Sequence, residues 1–421
     1  MGAYLSAPIT TKETESGECR DGFAYGCSSM QGWRRSQEDA HIVADLADGT
    51  TIFGVFDGHG GREVSAFAKR HFGEALQSQP LFATDLPASL VGGFHCIDEL
   101  LEDKSNLSEV RALKRDPRLP PEDGGASSSE ADGTAGASEE DVGGKKVPMT
   151  EAVDLFQKLV TLKRQQAAAA AGGGVAGGAA GGAAGGGAAA AAAAVGGGDG
   201  AAGAPAGGSD GGVPSSSSLA GGVFDGGGGP KVCMLPPSHI DAGATSVVAA
   251  LRGRQLYVAN AGDSRAIICR RGKAISLSTD HKPALTGEMA RITKAGGFVT
   301  AQGRINGNLN LSRALGDLKY KQDSLRPRAE QIITAQPDVT SHSLERGDEF
   351  MVLACDGVWD CMTNQQVVDF VRERIARGAE LCEICERILD HCIADDPKST
   401  GGIGGDNMTC IIVDLKVDSR R

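Results

Sequence analysis

The chain has 421 residues, 61 of them Gly, and its 42 basic and 54 acidic residues leave a net charge of −12. That balance excludes a protein that grips nucleic acid through basic patches, and it suits one that gathers carboxylates around cations. Eleven scattered Cys, no secretory apolar core before residue 30 and no run of about 18 apolar residues predict a soluble protein of a reducing compartment, cytoplasmic and/or nuclear.

The first residues, Met1 to Ser6, fit M-G-x-x-x-[ST], which makes Gly2 a candidate for myristoylation. One acyl chain gives only reversible attachment, so at most weak membrane contact follows. Residues 1–21 are taken as an N-terminal arm. Residues 51–57 (TIFGVFD) are a β-rich run that ends in Asp. Residues 61–79 carry Val64, Phe67, Ala68, Phe72 and Ala75 at helical spacing, and 86–102 continue in that style.

Residues 103–238 are irregular. They read as an insertion, largely disordered, whose Ala/Gly stretch 167–229 cannot bury enough apolar surface to offset chain entropy. Inside it, 150–166 has an amphipathic stripe and is predicted to be a helix. Excising the insertion leaves 22–102 and 239–415 as one large domain, followed by a short tail, 416–421. The spacing in this second part predicts strands over 244–251, 255–261, 265–271, 349–355 and 408–415, with helices in 364–394. Strands in runs with helices collected apart indicate an α+β architecture built on mainly antiparallel sheets. Cys382 and Cys385 have CxxC spacing within a helical pattern and read as core thiols.

Acids stand at the mouths of the strands. Asp57, Asp263 and Asp356 follow apolar runs, and Asp406 precedes one. Asp-Gly is an ordinary turn pair, but an entrance and an exit share one end of an antiparallel sheet, so these acids can converge on one cleft. Clustered carboxylates repel unless a cation compensates, and hard oxygen donors select Mg²⁺ or Mn²⁺. Arg34 and Arg35, close to Glu38 and Asp39, offer a guanidinium fork for a phosphate. His59, two residues after Asp57, could deliver a proton to a leaving alkoxide. Together these predict phosphate-ester hydrolysis assisted by metal ions. Neither a Cys-x₅-Arg loop nor a G-x-x-x-x-G-K-[ST] loop occurs.

The strings SSMQGWRRSQEDAH (28–41), FGVFDGHGG (53–61), GATSVVAAL (243–251), VANAGDSRAI (258–267), DHKP (280–283), RITKAGGFV (291–299), LNLSRALGD (309–317), LACDGVWD (353–360) and GGDNMTCIIV (404–413) resemble the metal-dependent Ser/Thr protein phosphatases of type 2C, the PPM family. The start MGAYLSAPITTK and the insertion carrying TEAVDLFQKL look most like the gamma-type branch, although that branch's insert is strongly acidic rather than Ala/Gly-rich. The resemblance implies a central antiparallel β-sandwich flanked by helices, with a dinuclear centre at one end. It also implies that a water or hydroxide between the two ions attacks phosphoserine or phosphothreonine, with no phosphoenzyme. By the same resemblance Asp57 bridges two ions, Gly58 offers its carbonyl, Asp356 and Asp406 hold one ion, and Glu38 reaches the other through water. Asp39 would orient the ligands, Arg34 would grip the substrate phosphate, and His59 would be the general acid. Asp263 and Asp360 resemble ligands of a weaker third ion. Phosphoproteins are the implied substrates, and the protein is expected to be a monomer. A catalytically dead phosphoprotein-binding scaffold is the alternative.

Overall fold

The computed structural model describes residues 4–115 and 240–415. Two six-stranded antiparallel sheets face each other. The first has the order β1 (Ile9–Glu18), β2 (Ala24–Gly32), β12 (Met408–Asp414), β11 (Asp348–Ala354), β7 (Arg265–Arg270) and β8 (Lys273–Ser276). The second runs β10 (Asp338–Ser343), β6 (Gln255–Ala261), β5 (Gly243–Arg252), β4 (Thr51–His59) and β3 (Ala40–Asp45), with the short β9 (Leu315–Gly316) added to β5.

The central strands are buried on both faces, which is why they read as continuous apolar runs. Phe53, Val55, Val247, Ala249 and Leu251 from the second sheet meet Met351, Leu353, Ile411 and Val413 from the first inside the sandwich. Their neighbours along the strands, Ile52, Phe56, Val248 and Ala250, point the other way and pack under α1 (Glu63–Gln77), α2 (Leu86–Glu102) and α3 (Leu107–Leu113). On the far side Phe350, Val352 and Ile412 pack under α5 (Asp356–Trp359), α6 (Asn364–Ala376) and α7 (Leu381–Cys392). Each large apolar side chain so buried contributes ~1.5–3 kcal/mol. The α+β sandwich flanked by helices is the architecture expected from the sequence.

Local signals set the helix ends. Asp85 caps α2 by accepting the Ala88 N–H at 3.0 Å, with Pro87 in the first turn. Thr363 and Gln366 form a capping box at α6. The helical pattern expected over 364–394 forms two helices, divided at Gly378, whose φ of +79° ends the first.

Two boundaries differ from the sequence reading. Residues 9–18 of the arm are an edge strand of the first sheet, paired with β2. The domain also continues past 102, because α3 buries Val110 and Leu113. The helix expected at 150–166, the Ala/Gly stretch and Gly2 lie outside the described residues. A smaller core of Ile292, Ile305, Leu311, Ala314, Tyr320 and Ile333 lies around α4 (Thr286–Lys294). Cys385 is a buried core thiol that donates to the Gly26 carbonyl. Among the described residues no helix is long and apolar enough to cross a membrane.

Candidate active site

Both sheets deliver acids to one place. Asp57 is carried by β4, opposite Thr245 of β5. Asp356 opens α5, separated from β11 by Cys355 alone, and Asp406 stands two residues before β12. Asp263 lies in the turn between β6 and β7, and Asp39 immediately before β3. Burial first, then the charges of Asp39, Asp356, Asp406 and Asp263, push the Asp57 carboxyl well above the usual carboxylate range. Burial, Asp263 and Asp406 do the same to Asp356. Asp406 is raised by burial, with Arg34 opposing. Asp360, at the exposed rim, is raised by burial while Lys282 pulls it down. The seven predicted acids thus form one electrostatic unit: Glu38 acts on Asp406, and Asp39 and Asp263 act on Asp57.

Polar contacts hold these acids. Asp39, 7% exposed, accepts the Thr409 hydroxyl at 2.7 Å, and burial pushes its carboxyl up to about 7. Its other oxygen, Oδ1, is buried and has no hydrogen-bond partner among the described residues. Glu38 accepts Ser36 Oγ at 2.7 Å and the Gly61 N–H at 3.1 Å. Its own N–H donates to Asn407 Oδ1 at 2.9 Å, and Asn407 Nδ2 donates to the carbonyls of Gln31 and Ser36. Two cations face the acids. Arg34 Nη2 lies 2.5 Å from Asp406 Oδ2, and Lys282 Nζ donates to Asp263 Oδ2 at 2.6 Å. Burial would lower the Lys282 ammonium, but Asp263, Asp356 and Asp360 outweigh it and raise it.

His59 Nε2 lies 2.7 Å from Asp317 Oδ2. Burial would lower the imidazole, but the Asp317 charge and hydrogen bond raise it. Asp317 is 1% exposed and adopts φ +49°, a left-handed conformation that Asp tolerates better than most residues. Gly243 makes room for this pair, since a Cβ there would fall 2.5 Å from Asp317 Oδ2 and 2.6 Å from His59 Nε2. At Gly58 a Cβ would meet the Glu38 carbonyl at 2.3 Å, so only glycine lets the Asp57–Gly58 backbone approach the acids.

The residues present fit divalent cations. Five aspartates compete for two cationic side chains, and a buried carboxylate oxygen lacks a donor. The donors are hard oxygens, which suits Mg²⁺ or Mn²⁺. Cys355 lies among them, within 4.8 Å of Asp39 and Asp57 oxygens. Burial and the carboxylates push its thiol up, so it stays protonated, and it accepts the Thr409 N–H at 3.2 Å.

Arg34, Glu38, Asp39, Asp57, Gly58, His59, Asp263, Asp356, Asp360 and Asp406 therefore meet in one cleft. Sequence reasoning missed Asp317, Lys282, Asn407, Thr409 and Cys355. Four of these lie inside quoted family-like strings (LNLSRALGD, GGDNMTCIIV and LACDGVWD), and Lys282 lies in DHKP, but no spacing rule assigned them a partner.

The protein phosphatase 2C family model matches residues 23–114 and 232–401. The chain is 37% identical over 418 residues to probable protein phosphatase 2C 60 of Arabidopsis thaliana, covering 99% of this chain and 92% of that protein. It is 32% identical to protein phosphatase 2C homolog 2 of Schizosaccharomyces pombe, over 98% of this chain and 78% of that one. In fold it is similar to the crystal structure of a phosphatase from a pathogenic strain of Toxoplasma gondii, with a TM-score of 0.54 at 20% identity over 96% of this chain and 95% of that one. A serine-threonine phosphatase 2C structure from Toxoplasma gondii gives a TM-score of 0.51 at 17% identity over 98% of both chains.

Proposed function

The chain belongs to the protein phosphatase 2C family, and we infer from that premise how its cleft carries out metal-dependent hydrolysis of phosphoserine and phosphothreonine in proteins. One observation carries the reading: Asp39, Asp57, Asp263, Asp356 and Asp406 converge, with Asp39 Oδ1 buried and unpartnered. Asp57, the Gly58 carbonyl, Asp356 and Asp406, with Glu38 beside them, would hold two Mg²⁺ or Mn²⁺ ions, and Asp263 and Asp360 a weaker third. Bound there, the ions supply water acidic enough to attack phosphorus at neutral pH and neutralise phosphoryl charge.

The chain's own residues do the rest. Asp39, fixed by Thr409, orients the acids around it. Arg34 sits half-exposed at the rim on Asp406, where its fork can turn to a substrate phosphate. His59 donates through Nε2 to Asp317, which leaves Nδ1 as the ring nitrogen that hands a proton to the departing serine or threonine oxygen. Lys282 holds Asp263 in place. No observation favours the dead-scaffold alternative.

The finer placement rests on sequence. The chain start and TEAVDLFQKL support the gamma-type branch. The acidic balance argues against nucleic acid as substrate. The ten described cysteines are all free thiols, which supports a cytoplasmic and/or nuclear location. Gly2 is the acylation candidate on its motif.

The test is release of phosphate from a phosphoserine peptide, with and without Mn²⁺, and with nucleic acid as control substrate. Phosphate release from the peptide alone, dependent on Mn²⁺, is expected. Asp57→Asn should lose about 100-fold or more in kcat. Full activity of Asp57→Asn at saturating Mn²⁺ would overturn the assignment.

A further inference from the structure

We propose that Glu15, Cys27 and His41 form a second cation site, specific for a borderline-soft divalent ion such as Zn²⁺, across the open edge of the sandwich. Glu15 lies on β1, the edge strand of the first sheet, directly opposite Cys27 on β2. His41 lies on β3, the edge strand of the second sheet. One donor atom from each of the three comes within 4.8 Å of the other two. Cys27 is fully buried, His41 is 8% exposed and Glu15 is exposed, so the site is closed on the core side and open at the carboxylate.

The imidazole gives the independent sign of a ligand. His41 Nε2 is buried and makes no hydrogen bond. Its near partner is Glu15 Oε2 at 3.6 Å, a contact that lowers the Glu15 carboxyl but is longer than an ordinary hydrogen bond. A buried nitrogen held by so long a contact keeps part of the ~1–3 kcal/mol cost of an unmade hydrogen bond. A metal bond to Nε2 would remove that cost.

The donor chemistry selects the ion. One thiolate, one imidazole and one carboxylate make a three-ligand set with a fourth position open to water, the arrangement Zn²⁺ accepts. Mg²⁺ and Mn²⁺ prefer oxygen, so the acid cleft and this edge would sort hard from soft ions. Tetrahedral ligands at ~2.0–2.3 Å from an ion lie roughly 3.3–3.8 Å apart, and the 3.6 Å between His41 Nε2 and Glu15 Oε2 falls in that range. Burial, then Glu15, pushes the Cys27 thiol up to about 12. The ion-free site therefore holds a neutral thiol, and binding releases its proton to solvent with no change of oxidation state. Tyr25, whose hydroxyl reaches Glu15 Oε1 at 3.5 Å, would steady the carboxylate. The Lys69 charge acts on both Glu15 and Cys27; it favours the thiolate and opposes the ion. The competing use of these groups is a simple His41–Glu15 ion pair. Bound, the ion would tie the two edge strands together.

Co²⁺ is the probe, added to the full chain in excess Mg²⁺ so that the oxygen-rich cleft is occupied. Thiolate ligation gives a near-ultraviolet charge-transfer band that oxygen ligands do not. The expected result is a saturable band that Zn²⁺ displaces. Cys27→Ser should abolish it, and His41→Gln should weaken Co²⁺ binding about tenfold or more. Cys355→Ser, at the thiol beside Asp39 and Asp57, should leave it. No band in the wild type, or loss in Cys355→Ser with retention in Cys27→Ser, would overturn the site and leave the ion pair. If Cys27→Ser fails to fold, His41→Gln decides: Zn²⁺ should raise the thermal midpoint of the wild type and not of this variant, and an equal rise in both would overturn the proposal.

Discussion

Asp317 is the residue that sequence reasoning did not connect to the chemistry, and the cleft depends on it. It is buried, left-handed and 2.7 Å from His59 Nε2. Its N–H donates to the Ala242 carbonyl at 2.9 Å, which anchors it from the backbone side. Asp317→Asn keeps a residue that tolerates the left-handed backbone but removes the charge that holds the imidazole proton. We predict that kcat on a phosphoserine peptide falls about tenfold or more, a part of the ~10²–10⁴ that acid catalysis supplies, with KM little changed. p-Nitrophenyl phosphate has a leaving group that needs no proton, so its turnover should fall much less. Equal losses on both substrates would mean that Asp317 only supports the fold. His59 itself was legible because it follows Asp57 by two residues. Its partner lies 258 positions later, beyond any spacing rule.

At the scale of elements, ion pairs do what apolar area does elsewhere. The segment around α4 has a small core, and Glu288 binds it together. Its carboxylate accepts Arg291 Nη2 at 2.7 Å, Arg313 Nη2 at 2.8 Å and Ser312 Oγ at 2.6 Å. Burial alone would raise this carboxyl, but Arg313, Arg291 and Ser312 outweigh it and hold its pKa at about 2, against an ordinary 4.5. A depressed folded-state pKa means that the stabilisation is whole above about pH 4.5 and is lost as pH falls towards 2. Glu288→Gln strips the buried Arg291 of its counter-charge, leaves Arg313 with Asp338, and should cost ~3–5 kcal/mol near neutrality. In denaturant unfolding at stepped pH, the gap between wild type and variant should close below about pH 4.5. A gap that stays constant to pH 2.5 would show that the charge is not what matters. Strands buried on both faces, such as β5 and β12, were legible because their apolar runs are unbroken. The edge strand β1 was not, since ITTKETESGE leaves nearly every side chain exposed and its pairing with β2 rests mainly on backbone register, with Thr14–Ser28 adding a side-chain bond at 3.0 Å. The Asp residues were legible because they end or begin apolar runs, whereas Lys282, Asn407 and Thr409 owe their roles to neighbours brought together only by packing.

At the scale of the whole molecule, the cleft exists because two sheets arrive at it together. Asp57 comes with the second sheet, and Asp356 and Asp406 with the first, so any change that shifts one sheet against the other separates the acids. The contacts that fix this registry are the interior residues of the sandwich, Phe53, Val55, Val247, Met351, Leu353 and Ile411 among them. Among the described residues, the four apolar cores draw on 46–113 and 240–415, together with Cys19, Phe23, Cys27 and Met30. The composition of the Ala/Gly stretch 167–229 offers little apolar surface to such cores. Lengthening a loop adds entropy only slowly, roughly 0.6 kcal/mol per doubling, so shortening this one costs little if the remaining chain still spans its ends. Removing 167–229 while keeping 116–166 and 230–239 leaves ample chain to do so. We predict that this deletion leaves the thermal midpoint within about 3 °C and turnover of a small phosphoserine peptide within about threefold of the full chain. Circular dichroism melts and phosphate release at saturating Mn²⁺ measure both. A variant that folds but loses Mn²⁺-dependent turnover would place part of the stretch against the cleft, and one that does not fold would show that it completes a core.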